Sequence, residues 1–159
     1  MARIAVTHRH GKSFDVRVRG YALISDEPIT LGGGDEGPTP TELMVAGLAA
    51  CAADEVVRYI AAIGERFEPT AVGADFAWDA EGSRVASIHL SVTLPMELSP
   101  STREKVLQAM LSCPARKMLA EPPSVDYKFE SVAVPASVGP ALDGGSWPDE
   151  PPPDVDSQG

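Results

Sequence analysis

Hydrophobic and polar residues alternate in the first segments of the chain. In residues 13–19, one phenylalanine and two valines alternate with one aspartate and two arginines, which is the two-residue period of a half-buried strand. A glycine-containing turn, His10-Gly11-Lys12, connects this strand to an apolar segment at residues 2–9. We therefore predict a β-hairpin, followed by a further extended piece at residues 21–24.

The same alternation returns in the second half of the chain. Residues 71–79 and 85–94 flank the turn Glu81-Gly82-Ser83, and this arrangement predicts a second hairpin. In its second strand, one face carries only aliphatic side chains: Ile88, Leu90, Val92 and Leu94. Valine, tyrosine and phenylalanine alternate again at residues 125–129, which predicts a closing strand.

A long helix is predicted after a glycine-rich loop at residues 31–38. Thr39 is a good N-cap, Pro40 suits the first helical position, and Glu42 stands where a capping box places an acid. The helix should continue to residue 63 and end at Gly64. Its middle, residues 45–53, consists almost entirely of small residues, so we expect a central, buried helix.

A second long helix should begin at Ser99-Pro100 and run to about residue 111. Ser112-Cys113-Pro114 interrupts it, and Pro114 opens a further helical piece that ends near residue 121. Two groups of strands and two long helices in this order predict an α+β domain rather than alternating βαβ units.

Charge and composition change the picture at the C-terminal end. Residues 135–159 contain five acids, no Lys or Arg, six of the 15 prolines and four of the 14 glycines, which predicts a disordered acidic tail. The working domain is then residues 1–134, with 18 acidic and 13 basic residues. An acidic domain without a basic stripe argues against nucleic acid and anionic membranes as partners.

Localisation is predicted from what the chain does not contain. No apolar run is long enough to span a membrane, and the N-terminal residues carry charges where a secretory signal would be apolar. Two cysteines cannot form the disulfide framework of a small secreted domain. We therefore expect a reduced, cytoplasmic protein.

The two cysteines are the candidate nucleophiles. Cys51 lies inside the predicted buried helix, where it could simply be a small hydrophobic residue of the core. Cys113 lies at a predicted helix N-terminus followed by Arg116 and Lys117, and unpaired amide groups and cations favour a thiolate. These physical arguments make Cys113 the more activated thiol. The alternative is that Pro114 merely begins a helix and that Arg116 and Lys117 are solvated surface residues. If the thiols meet in the fold, a pair in a reducing compartment is more typical of redox activity than of structure.

Other kinds of site are not supported. The three histidines, His8, His10 and His89, do not stand at zinc-ligand spacing with either cysteine, so we expect no metal site. The run of glycines at residues 32–34 lacks the Gly-Lys-Ser/Thr ending of a phosphate-binding loop and predicts only a flexible loop. We expect no cofactor.

Two motifs resemble the OsmC/Ohr family of thiol-dependent hydroperoxide reductases. The first runs from Asp26-Glu27-Pro28 through the glycine loop and Pro38-Thr-Pro-Thr-Glu-Leu43 to Leu48-Ala-Ala-Cys51, and the second is Cys113-Pro114. The order of elements also fits over residues 1–134. The resemblance implies an OsmC-like fold, with two antiparallel sheet regions around two long helices, in an intertwined homodimer.

The resemblance also implies the roles of the site residues. Cys51 would be the peroxidatic cysteine and Cys113 the resolving one, which reverses the order that the physical arguments gave. An organic hydroperoxide would be the substrate, reduced better than hydrogen peroxide, and an external thiol or dithiol would restore the enzyme. The family's helper arginine from the N-terminal strands could be Arg17 or Arg19, with Arg9 as a third possibility.

One departure from the family pattern concerns the carboxylate that assists the thiol. Family members place a glutamate directly after the proline at the start of the helix, whereas this chain has Thr41 there and Glu42 one residue later. A shift of one residue turns a helical side chain by about 100°. The alternative to a peroxidase is therefore a small-molecule-binding or redox-sensing protein with the same fold. A dimeric structural domain with inert cysteines is the third possibility.

Overall fold

A computed structural model describes residues 4–65 and 68–129. The described residues form two compact units: residues 4–40 with 127–129 make up unit 1, and residues 41–126 make up unit 2. The tail predicted at residues 135–159 lies outside the described residues. The secondary structure is α+β, as the sequence predicts.

Unit 1 is built on a three-stranded antiparallel sheet. Its strands are β1 (Ile4–His10), β2 (Ser13–Val18) and β3 (Tyr21–Ser25), in the order β1-β2-β3. The first hairpin is thereby confirmed. The further extended piece pairs with β2, and Phe14 stands opposite both His8 and Ser25. Since β2 is covered on both edges, its backbone groups are satisfied along the strand.

The glycine-rich loop of unit 1 is ordered around the buried side chain of Asp26. One carboxylate oxygen accepts the backbone N–H of Glu27 at 2.8 Å, and the other accepts those of Gly34 at 2.8 Å and Glu36 at 3.3 Å. A Cβ at Gly33 would collide with the backbone carbonyl oxygen of Glu27. This is a fixed loop that requires glycine, not the flexible loop that its composition suggests.

Burial alone disfavours the ionised form of Asp26, but the three N–H donors outweigh burial. Together they hold the pKa of this carboxyl below its ordinary value. The loop therefore depends on a charged, buried carboxylate.

Unit 2 begins with the long helix α1 (Pro40–Ala62). The helix ends close to where the sequence predicts. Gly64 adopts a left-handed φ of 75°, and its N–H donates to the Ala61 carbonyl oxygen. The N–H of Glu65 donates to the carbonyl oxygen of Ile60. This pair of bonds satisfies the last free carbonyls of the helix. The helix is buried along one stripe only: Val45, Leu48, Ala49, Ala52, Val56 and Ile60. The predicted buried helix is thus buried along this stripe and not all round, since Ala46, Gly47 and Ala50 are exposed.

The hairpin of β4 (Ala71–Trp78) and β5 (Val85–Thr93) is confirmed, and so are the helices α2 (Pro100–Leu111) and α3 (Pro114–Ala120). Residues of β5, of the segment after it and of α2 pack against the C-terminal part of the buried stripe of α1. The side chain of Ser99 caps α2 by accepting the N–H of Thr102. The core of the unit is the cluster of Val56, Ile60 and Val106, with these half-buried residues around it: Tyr59, Val92, Leu94, Met96, Leu98 and Met110.

The closing strand predicted at residues 125–129 is not formed. The three apolar side chains that suggested it, Val125, Tyr127 and Phe129, are 66%, 82% and 93% exposed. An alternating segment becomes a strand only where a neighbouring edge can accept its backbone hydrogen bonds, and no described segment pairs with this one.

Candidate functional site

The two cysteines are held by different helices of unit 2. Cys51 lies near the middle of α1 and is half-buried, whereas Cys113 is the N-cap of α3 and is completely buried. Pro114 explains the position of Cys113, because proline fits the first helical position and makes the preceding residue extended. The break between α2 and α3 thus points the Cys113 side chain back into the unit.

The two thiols meet in the fold. The Cys51 thiol is a direct neighbour of the Cys113 thiol, and both cysteines are in the free, reduced form. The Sγ of Cys113 also accepts the backbone N–H of Arg116 at 3.3 Å. The two cysteines therefore lie close enough to act as a pair.

The electrostatics of Cys113 overturn one expectation from the sequence. Burial raises the pKa of the Cys113 thiol; the N–H of Arg116 opposes this effect, but the neighbouring Cys51 raises the pKa further. The expectation that Cys113 is the more activated thiol is therefore wrong. The helix N-terminus is present as predicted, but removal of the sulfur from water outweighs it.

The charged side chains that follow Cys51 on α1 interact with each other. A guanidinium nitrogen of Arg58 lies 3.1 Å from a carboxylate oxygen of Glu55 and 3.7 Å from one of Asp54. The positive charge on this face is thus shared between two carboxylates of the same helix.

A cleft of about 800 Å³ opens beside the thiols. Its wall includes Cys113 and the α1 residues Leu48 and Ala52, which flank Cys51 in the sequence, and Thr41 lies in the wall near the start of α1. Most other lining residues are apolar and come from α1, β5, α2 and α3, with Trp78 at the end of β4. The cleft is therefore mostly apolar, and of the two cysteines Cys113 is the one that lines it.

Sequence comparison identifies the family. The model of the OsmC-like protein family matches residues 32–128, more than half of the chain. The chain belongs to the OsmC-like family. Its resemblance to OsmC/Ohr proteins is thereby confirmed over a range that includes the glycine loop and both cysteines. No curated protein matches it in sequence.

Solved structures show the same fold for this OsmC-like protein. An osmotic stress induced and detoxification response protein from Psychrobacter arcticus superimposes with a TM-score of 0.68 at 23% identity, covering 74% of this chain and 87% of that one. An OsmC-like protein from Mycoplasma pneumoniae gives 0.64 at 16% identity, covering 76% and 88%. The organic hydroperoxide resistance protein OhrB of Bacillus subtilis gives 0.55 at 16% identity, covering 77% and 92%.

The candidate helper arginines of this OsmC-like protein belong to unit 1, whereas both cysteines belong to unit 2. Arg17 is half-buried on β2, opposite Ala5 and Ala22. Arg19 has a left-handed φ of 57° in the turn after β2, and its guanidinium carbon lies 5.3 Å from the ring centroid of Tyr21.

Arg9, the third possibility, already has partners. Its guanidinium lies 3.0 Å from a carboxylate oxygen of Glu36 and 3.7 Å from one of Asp15. Glu36 also accepts the hydroxyl of Ser13 at 3.2 Å. Arg9 therefore helps to hold the glycine loop to the first hairpin.

Sequence reasoning missed the arginine Arg84, which lines the cleft from the turn between β4 and β5. It noticed Arg116 only as a neighbour of Cys113, not as part of a cavity wall. Neither arginine belongs to a periodic pattern, so the sequence around them contains no signal that both line the same cleft.

The structure shows neither a metal-binding cluster nor a membrane-spanning helix in residues 4–65 and 68–129. Within these ranges no three histidine, cysteine, aspartate or glutamate side chains are grouped to hold a metal ion. None of the helices in the described part of the chain is long and apolar enough to cross a membrane.

Proposed function

We propose that this protein is a thiol-dependent peroxidase that reduces organic hydroperoxides, and hydrogen peroxide more weakly, in defence against oxidative stress. The observation that carries the proposal is that the Cys51 and Cys113 thiols, both reduced, are neighbours in the fold. Two neighbouring thiols on separate helices can be oxidised to a disulfide. Membership of the OsmC-like family supports the same activity.

Each thiol has its own role in the proposed reaction. The Cys51 thiolate attacks the distal oxygen of the hydroperoxide ROOH, the O–O bond breaks, and the alkoxide leaves as the alcohol ROH after taking a proton. Cys51 is then a sulfenic acid. The Cys113 sulfur attacks the sulfenic sulfur, which forms the disulfide and releases water. An external dithiol reduces this disulfide, becomes a disulfide itself, and restores both thiols.

Exposure and acidity support this assignment of roles. Cys51 is half-buried and accessible to a peroxide, whereas Cys113 is completely buried. The raised pKa of the Cys113 thiol keeps it protonated at neutral pH, as suits a group that acts second. The apolar cleft favours a hydroperoxide with an organic body over hydrogen peroxide.

Further parts of the proposal come from the family resemblance. The protein acts as a cytoplasmic homodimer, and Arg17 or Arg19 stabilises the Cys51 thiolate. Thr41, at the position of the family's glutamate, cannot supply a carboxylate. Single Arg17→Gln and Arg19→Gln variants identify the helper as the one whose loss lowers the rate of Cys51 oxidation.

The proposal is tested by one equivalent of cumene hydroperoxide added to the reduced protein. Non-reducing peptide mass spectrometry should find a Cys51–Cys113 disulfide within one chain, and none in Cys51→Ser. Consumption of excess peroxide in the presence of dithiothreitol should then continue over many turnovers. Thiols that stay reduced in the folded protein contradict the proposal.

The size of the cleft favours a second candidate function, a small-molecule-binding or redox-sensing protein. About 800 Å³ is enough for a ligand of considerable size. Such a protein would show at most one stoichiometric oxidation of its thiols, without continued turnover. The dithiothreitol assay therefore separates the two functions.

A further inference from the structure

The sulfur of Cys113 has a second task besides chemistry, because it is the N-cap of α3. It accepts the backbone N–H of Arg116 at 3.3 Å, the bond by which an N-cap side chain satisfies a free donor of the first turn. Serine, threonine, aspartate and asparagine are the usual residues at this position. Here the atom that holds the start of the helix is also one that the proposed reaction oxidises.

The helix α2 provides a comparison within the same unit. Ser99 precedes Pro100, and its hydroxyl oxygen accepts the N–H of Thr102 at 3.1 Å. Cys113 precedes Pro114 in the same way, and its sulfur likewise accepts the N–H three residues along the chain. Of these two caps, only that of α3 contains a sulfur that oxidation can change.

A disulfide between the two thiols requires at least one of them to move. Its sulfur atoms are about 2.05 Å apart, far less than the separation of two unbonded sulfur atoms. Cys51 belongs to a helix of 23 residues, six of which are buried, whereas α3 has seven residues and none is buried. In α3 only Ala115 is even half-buried. The end that holds Cys113 is therefore the weaker one, and the movement falls on it.

We propose that α3 is a redox-sensitive segment: formation of the Cys51–Cys113 disulfide removes its N-cap, and the helix loosens. As the Cys113 sulfur turns to bond with Cys51, the N–H of Arg116 loses its acceptor, and a helix this short is marginal without capping or packing. Arg116 and Leu119 belong to the cleft wall, so the wall changes in the oxidised state, the state that an external dithiol has to reach. This inference rests on the proposed function for the oxidant alone.

Hydrogen exchange detected by NMR tests the loosening on the full chain. The disulfide is formed in two ways, by one equivalent of cumene hydroperoxide and by diamide, which takes two electrons and two protons from the thiol pair and becomes the hydrazine. We expect the amides of residues 116–119 to exchange about tenfold faster in the oxidised protein, which equals about 1.4 kcal/mol and lies in the range for a lost N-cap. The amides of residues 102–105, which follow the Ser99 cap of α2, should keep their rates.

Variants separate capping from oxidation. Cys113→Ser keeps an atom that can accept the N–H of Arg116 but cannot form the disulfide, so exchange in α3 should be slow with or without oxidant. Cys113→Ala has no acceptor, and its α3 should exchange rapidly in both conditions. Cys51→Ser should keep slow exchange, because Cys113 is left without a partner thiol. Thermal unfolding verifies that all variants are folded.

The outcomes distinguish this inference from the peroxidase. A disulfide formed by either oxidant with unchanged exchange in α3 overturns the inference, and so does slow exchange in Cys113→Ala. Equal acceleration in α2 also overturns it, since that indicates a general loosening of the unit. A folded protein in which diamide forms no disulfide overturns it as well. Protein that diamide oxidises and loosens at α3, but that cumene hydroperoxide leaves reduced, refutes the peroxidase and leaves the redox-sensitive helix standing.

Discussion

The thiols of Cys51 and Cys113 are direct neighbours, although one cysteine lies in the middle of α1 and the other caps α3. The contact brings together an accessible thiol and a buried one. Burial raises the pKa of the Cys113 thiol, whereas Cys51 is the thiol with access to solvent. The predictions about chemistry below follow from this asymmetry.

Loss of Cys113 should stop the reaction halfway. In Cys113→Ser, Cys51 can still react with cumene hydroperoxide, but no thiol is left to condense with its sulfenic acid. We expect this intermediate to accumulate and to be labelled by dimedone on Cys51, as seen by peptide mass spectrometry. Cys51→Ser is the control and should show no label. Strong labelling of Cys113 in that control would mean that the roles are reversed.

Formation of the disulfide should become faster as the pH rises. The attacking group is the Cys113 thiolate, and because burial raises the pKa of this thiol, only a small fraction is ionised at neutral pH. After fast oxidation of Cys51, stopped-flow measurements should show a second phase whose rate still increases above the pH at which an ordinary cysteine is fully ionised. A plateau near neutral pH would contradict a raised pKa.

The same thiol should link stability to alkaline pH. A pKa that is higher in the folded than in the unfolded chain gives a contribution that is complete below the unfolded value and lost as the pH rises through the folded one. Urea unfolding of the reduced protein should therefore show a decline in stability at high pH. Cys113→Ala should reduce the slope of that decline, whatever its effect at neutral pH.

Asp26 should link stability to acid pH with the opposite sign. Its folded pKa is lowered, so its contribution is present above the unfolded value and lost as the pH falls through the folded one. Asp26→Asn cannot accept all three N–H groups, because Glu27 donates to one carboxylate oxygen and Gly34 and Glu36 donate to the other, and one of these two positions becomes an N–H donor in asparagine. The variant should be clearly less stable at neutral pH and nearly equal to wild type in strong acid. Asp35→Asn, in the same loop, is the control.

Two glycines with opposite surroundings should respond oppositely to alanine. At Gly33 the new Cβ would strike the Glu27 carbonyl and come within 2.8 Å of an Asp26 carboxylate oxygen, so Gly33→Ala should cost about 1–3 kcal/mol. At Gly47, inside α1, nothing lies within 4 Å, so Gly47→Ala should stabilise by about 0.5–1 kcal/mol. Urea titration of both variants measures the difference. Equal effects would show that the loop is not tightly packed.

The sequence by itself determined the local elements of this protein. Pro40 and Gly64 mark the two ends of α1, Ser99 and Cys113 mark the starts of α2 and α3, and alternation places the two hairpins. These signals lie within one helical turn or one pair of strands. A few neighbouring residues decide them through backbone geometry and capping.

Only the tertiary structure decided the chemistry of the site. The acidity of Cys113 depends on removal from water by α1 and other distant segments, which no pattern around residue 113 reveals. The cleft gathers Thr41, Arg84 and Arg116 from three separate regions, and no strand in the described part of the chain pairs with the apolar segment at residues 125–129. Desolvation and strand pairing depend on atoms far away in the chain, so the sequence could nominate the thiols but could not rank them.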